Sequence, residues 1–121
     1  MIVFNATRKT TLSKNAVLAN SFWDRMRGLM LSAKRDMVLD AGFDDIPSAS
    51  IHMLLMKYPI DVLWVDDAKT VVGTEGEIQP FHPFKPQTWR IYRPKKPARY
   101  VVELGKGELG TTKIGDKIEF T

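Results

Sequence analysis

Asp61 stands in the run Ile60-Asp61-Val62-Leu63-Trp64-Val65, where every other residue is apolar. A carboxylate in such a strand either pairs with a cation or with amides, or it is held ready as an acid, a base or a ligand-binding group. Arg25, Arg27 and Arg99 are the candidate counter-charges. Glu103 alternates with Val101 and Arg99, so an Arg99 to Glu103 pair along one strand face is a further arrangement open to this chain. Two readings of Asp61 follow. In the structural one it is an internal ion pair or a turn-capping carboxylate. In the functional one Asp61, Glu103 and an arginine line a pocket at one end of the fold and bind or protonate a ligand.

His52 sits in an apolar strand beside Met53 and Met56, which invites a metal or acid–base role. A metal needs clustered partners, and this histidine has none nearby in sequence, so a hydrogen-bonded, half-buried side chain is the plainer reading. An enzyme using Asp61, Glu103 and His52, with a divalent cation held through oxygen ligands, is the catalytic alternative. His82, among Pro80, Pro83 and Pro86, reads as a surface residue. No metal site and no cofactor is expected.

Arg90, Arg93, Lys95, Lys96 and Arg99 form a basic cluster interleaved with Trp89, Tyr92 and Tyr100. That combination can hold single-stranded nucleic acid by phosphate attraction and base stacking. The competing reading is a hairpin tip with a solvated basic rim and inward-facing rings. Gly105-Lys106-Gly107-Glu108-Leu109-Gly110 matches the dinucleotide-binding fingerprint in spacing. It fails on context, because Gly110, Thr111, Thr112 and Gly115 interrupt any following helix and the expected acidic residue has no room. Glycine-dependent turns explain it better. No serine beside a base, phosphate-cradling lysine loop or zinc-spaced histidine pair occurs.

The elements that must position these residues are short. Ile2 to Asn5 reads as a strand with Ala16 to Ala19 as its partner, and Thr7 to Asn15 as the loop between them. Ser21, with Asp24 three residues on, reads as the N-cap of a two-turn helix over Ser21 to Arg27, which Gly28 ends. Met37 to Asp40 is a strand and Gly42 to Ser48 a loop. Ile51 to Met56 and Ile60 to Asp66 read as a hairpin around Lys57-Tyr58-Pro59, the second strand covered on both faces. Asp66 to Lys69 is a turn. Thr70 to Ile78 is a strand that Gly73 and Gly76 bend or bulge. Trp89 to Arg93 and Ala98 to Leu104 are strands flanking the Pro94 to Pro97 turn, and Lys117 to Phe120 is the last strand. Met26, Met30, Met53 and Met56 read as core fillers.

Eight or so short strands with one helix predict a mainly β fold, an antiparallel sandwich or barrel, as one domain over residues 1–121. Apolar residues make up 44% and charged residues 26%, an ordinary globular balance. There is no cysteine, which excludes disulfides, thiolate metal sites and cysteine nucleophiles. Met1 to Thr11 has no basic segment followed by an apolar run, and no apolar stretch reaches membrane-spanning length, so the expectation is a soluble, cytoplasmic protein. The net charge of +4 favours solubility and, more weakly, anionic partners.

Several segments in order resemble the domain of unknown function 192 family. They are Arg25-Met26-Arg27-Gly28-Leu29-Met30, Ile51-His52-Met53 through Met56, Pro59-Ile60-Asp61-Val62, Trp64-Val65-Asp66, Pro80, Tyr100-Val101-Val102-Glu103-Leu104 with Gly107, and Gly115-Asp116. The resemblance implies a jelly-roll-like β fold and no activity. Many bacterial relatives look exported or membrane-tethered, and where relatives often carry Trp this chain has His52. A non-catalytic module that binds a small ligand or a partner protein is the leading expectation.

Overall fold

The computed structural model describes residues 1–19, 36–45, 51–52, 59–78, 84, 91–92, 94–105 and 107–121. Its centre is β6 (Ile60–Val65), a strand buried at every position. Isoleucine, valine, leucine and tryptophan suit a pleated strand packed on both faces. Both edges of β6 are taken, one by β9 (Ala98–Gly105) and one by β7 (Val71–Ile78). The sheet is completed by β4 (Met37–Asp45) beside β9 and by β3 (Val17–Ala19) beside β4, in the order β3-β4-β9-β6-β7. All its pairs are antiparallel except β3 with β4.

A second sheet of three strands has β1 (Val3–Asn5) between β10 (Ile118–Phe120) and β2 (Thr10–Ser13). The two sheets close on a shared core. Val3, Leu12 and Ile118 from the smaller sheet meet Val38, Leu63, Val65, Val71, Tyr100, Val102 and Leu104 from the larger. Burying each large aliphatic side chain there contributes about 1.5–3 kcal/mol before entropy is counted. The opposite face of the larger sheet carries Ile60, Val62, Trp64, Ile78 and Val101, equally buried. A third pair, β5 (Ile51–His52) with β8 (Ile91–Tyr92), stands apart from both sheets. The fold is mainly β, as expected, and neither large sheet closes into a barrel.

Three pairings and one strand boundary differ from the sequence expectation. The hairpin of Ile51 to Met56 with Ile60 to Asp66 does not form: Ile51 pairs with Tyr92, His52 pairs with Ile91, and β6 has no edge left. A strand with apolar residues on both faces gains more from two long partners than from a short turn, and β9 matches it residue for residue from Ile60↔Gly105 to Val65↔Tyr100. For the same reason the strands flanking Pro94 to Pro97 do not pair with each other: β8 joins β5, and β9 joins β4 and β6. β1 takes its partner from inside the expected loop, because Lys9 adopts φ 56 and turns the chain tightly into β2. Ala16 to Ala19 instead leads into the parallel edge of the larger sheet, with Val17 opposite Met37. Finally, β4 does not end at Asp40. It continues to Asp45 through a bulge at Gly42, whose φ of 86 suits glycine.

Other expectations hold. The register of β6 with β7 shifts in two places, between Ile60 and Val62 and between Trp64 and Val65. The bend foreseen at Gly73 and Gly76 is thereby realised: Gly73 lies under the Trp64 ring, and Glu77 adopts φ 53. The helix expected at Ser21 to Arg27 lies outside the described residues.

Candidate functional site

Asp61 is 2% exposed, yet both of its carboxylate oxygens are used. Oδ1 accepts the backbone N–H of Glu77 at 2.8 Å, and Oδ2 accepts that of Leu109 at 2.9 Å. The first amide belongs to the bulged end of β7, where the left-handed Glu77 has left the regular ladder. The second belongs to the glycine-rich segment after β9. That segment is a chain of turns, with Glu108 N–H donating to the Gly105 carbonyl and Gly110 N–H to the Gly107 carbonyl. Gly107 and Gly110 have φ of 85 and 59, so the turn reading of this dinucleotide-like motif is the correct one for the described residues. Asp61 is a turn-capping carboxylate.

The expected pocket of Asp61, Glu103 and an arginine is not assembled. Asp61 lies opposite Leu104 and Val62 opposite Glu103, so alternation sends the two carboxylates to opposite faces of the sheet. Asp61 shares its face with Leu63 and Val65, Glu103 with Val101. Arg99 is also remote, since it precedes Leu104 by five residues, about 17 Å at the rise of an extended strand.

Arg99 is engaged elsewhere, and not by Glu103. Its Nε and Nη2 donate to Asp40 Oδ1 and Oδ2 at 2.8 and 3.1 Å, and Nη1 donates to Asp67 at 2.7 Å. Asp40 also accepts the Gly42 N–H at 2.8 Å, so one carboxylate caps the β4 bulge and receives a forked guanidinium. The Arg99 hydrogen bonds hold the Asp40 carboxyl below its ordinary range, although burial opposes them. The two aspartates in turn raise the Arg99 guanidinium above its already high value. Beside this group Lys69, at φ 68, donates to the Tyr100 hydroxyl at 3.0 Å and lies 4.6 Å from the ring centre. Asp66 and Asp67 read from the sequence as turn residues. That holds for Asp66, whose Oδ1 accepts the Thr70 N–H, but Asp67 also serves as a counter-ion.

A third polar group escaped sequence reasoning. Asn5 is fully buried and donates through Nδ2 to Thr112 Oγ1 and to Asp116 Oδ2, both at 3.0 Å. Asp116 Oδ2 also receives Arg8 Nε at 2.7 Å and the Lys113 N–H at 3.1 Å. Burial would raise the Asp116 carboxyl, but the bonds from Asn5, Arg8 and Lys113 outweigh it and leave it below its ordinary range. The available signal was Asn5 at the end of an apolar strand and Asp116 after a glycine, each too common to point at the other.

His52 is placed only through its backbone, opposite Ile91. Lys95 and Lys96 are exposed between β8 and β9. Arg25, Arg27, Arg90 and Arg93 lie outside the described residues. No group of three or more histidines or carboxylates able to hold a metal occurs among the described residues. No helix among them is long and apolar enough to cross a membrane.

The model of a family described as "Uncharacterized ACR", domain of unknown function 192, matches residues 3–120. A UPF0127 protein of Thermococcus kodakarensis is 34% identical over 99% of this chain and 73% of its own length. A UPF0127 protein of Pyrococcus abyssi is 30% identical over 98% of this chain and 97% of its own length. Among solved structures, a proposed transcription regulator from Sinorhizobium meliloti superposes with a TM-score of 0.77 at 22% identity, covering 98% of this chain and 89% of that one. At that identity the likeness is one of fold.

Proposed function

The chain belongs to the domain of unknown function 192 family, and from that premise we propose that it is a non-catalytic β-sandwich module that binds a small ligand or a partner protein. One observation carries this reading: among the described residues, the polar side chains Asp61, Arg99 and Asp116 are engaged in holding the fold. Asp61 caps two backbone amides, Arg99 is forked onto Asp40 and held by Asp67, and Asp116 is enclosed by Asn5, Arg8 and Lys113. A general acid or base must be within reach of a substrate proton, and a carboxylate already accepting two amide hydrogens is poorly placed for that. An enzyme built on Asp61, Glu103 and His52 is disfavoured further by the opposite faces of the two carboxylates.

A thermal-shift screen of metabolites, sugars and short peptides tests the reading. Saturable stabilisation by one chemical class, unaccompanied by turnover, is the expected result. Turnover of any hit that is abolished by Glu103→Gln in a folded protein would refute it.

Nucleic-acid binding through the Arg90 to Arg99 cluster is the second reading. The exposed Lys95 and Lys96, and the description of the Sinorhizobium meliloti protein, speak for it. The commitment of Arg99 to two carboxylates speaks against it. Titration of labelled single strands at two salt concentrations decides, because phosphate contacts weaken steeply with salt.

A further inference from the structure

Exposed charge is separated along the length of the larger sheet. At the start of β6, where Asp61 takes the Glu77 and Leu109 amides, stand the exposed Glu75, Glu77 and Glu108. Half-buried Asp36 joins them, since it shares the Gly105 N–H with Glu108. At the other end of β6 three turns meet: Ala6 to Lys9, Asp66 to Lys69, and Lys113 to Lys117. They are tied by Gly115 N–H to the Val71 carbonyl, Ile118 N–H to that of Lys69, Ala6 N–H to that of Lys117, and Lys117 N–H to Thr7 Oγ1.

This second end carries Arg8, Lys9, Lys113 and Lys117. Of its acids, Asp116 is buried against Arg8 and Asp67 is bound to Arg99. Asp66, which caps the Thr70 amide, and the exposed Glu119 of β10 keep their charge, so the lysines outnumber but do not stand free of acids here. Lys117 Nζ donates to the Ala68 carbonyl and the Thr70 hydroxyl, which are neutral and leave its charge in place. Between Lys113 and Gly115, at the tip of the turn, Ile114 is 60% exposed.

We propose that this end docks on an anionic lipid surface, with Lys9, Lys113 and Lys117 among the headgroup phosphates and Ile114 in the boundary below them. A branched aliphatic side chain held out in water among lysines gains by entering the headgroup and acyl boundary, whereas against a hydrated phosphate backbone it gains nothing. Single-stranded nucleic acid would call for exposed rings, and the aromatic residues described near this end, Tyr100 and Phe120, pack on each other and on the core. The acidic far end adds an orienting field that turns the basic tip toward the membrane. The contact is reversible, since a few lysines and one side chain make a weak anchor. It is independent of any ligand bound elsewhere on the sandwich.

Co-sedimentation of the full chain with phosphatidylcholine vesicles, with and without phosphatidylglycerol, tests this at low and high salt. Binding is expected only to the phosphatidylglycerol vesicles, and salt should reverse it. Lys9→Glu, Lys113→Glu and Lys117→Glu should each weaken it about fivefold or more, since each lysine near such a surface is worth that factor. Lys14→Glu makes the same charge change after β2, at the opposite end of the smaller sheet, and should leave binding nearly unchanged. Ile114→Ser should weaken binding without altering its salt dependence. An equal loss from Lys14→Glu would reduce the effect to net charge and overturn the proposal. So would binding to a duplex oligonucleotide in preference to vesicles. Urea midpoints of the variants confirm that each remains folded, and Ile114→Trp gives an independent reading as a fluorescence blue shift on contact with the acidic vesicles.

Discussion

Asp61 and Leu109, 48 positions apart, are joined by a 2.9 Å hydrogen bond from the Leu109 backbone N–H to the buried Asp61 carboxylate. With the companion bond from Glu77, it fastens the glycine-rich turns and the bulged end of β7 to the central strand. A carboxylate that looked like a site residue is thus the anchor of two irregular segments, whose amides have no ladder partner at those points.

Asp61→Asn should destabilise the fold by about 1–3 kcal/mol, because the amide side chain has one acceptor oxygen where two amide hydrogens need accepting. Urea denaturation of the variant measures it. The same variant should speed hydrogen exchange at Glu77 and Leu109 before other strand amides respond. A wild-type midpoint would show that Asp61 does not cap these amides.

Two glycines should fail for different reasons. A Cβ on Gly73 would lie 3.1 Å from Trp64 Cε3, a rigid ring that is 1% exposed, so Gly73→Ala should cost about 1–3 kcal/mol through overpacking. Gly115 has open space around it but sits at φ +97, so Gly115→Ala should cost about 1–2 kcal/mol through backbone strain alone. Pairing Gly73→Ala with Trp64→Leu separates the mechanisms, because the smaller side chain should absorb the added methyl. The cost of Gly115→Ala should be the same in either background.

Acid should loosen the contact between the first hairpin and the last turn. The Asp116 carboxyl is held below its ordinary range in the folded chain and returns to that range on unfolding. Its contribution is therefore present in full above the ordinary carboxylate range and is lost as pH falls through the depressed folded value. Stability measured from neutral pH down to strong acid should decline over that interval. In Asp116→Asn the decline should be shallower, with lower stability at neutral pH. An unchanged slope would mean that other carboxylates govern acid unfolding.

Much of the strand inventory was legible because alternation and β-branched runs are local signals. Val71–Ile78 with its two glycines, Ala98–Gly105 and Ile118–Phe120 all lie within a residue of where the pattern put them. The turn at Asp66 to Lys69 was legible from its polar composition, although not the left-handed Lys69, a conformation usually given to glycine. β2 was missed because Thr10-Thr11-Leu12-Ser13 offers one apolar residue, and its strand state depends on pairing with β1.

Pairing is where local information ended. Nearness in sequence favoured Ile51 to Met56 as the neighbour of β6, but the energy of a central strand comes from area covered on both faces and from a full ladder, which β7 and β9 supply. Once β9 pairs residue for residue with β6, parity alone separates Asp61 from Glu103 and dissolves the expected pocket. The amino-acid sequence by itself determined a mainly β chain, a central buried strand with a carboxylate in it, and glycine turns in place of a cofactor loop. Only the tertiary structure decided what Asp61, Arg99 and Asp116 are bound to, because apart from the local Lys113 amide on Asp116 each of those partners comes from a distant segment. A hydrogen bond across 48 positions leaves no trace in either local pattern.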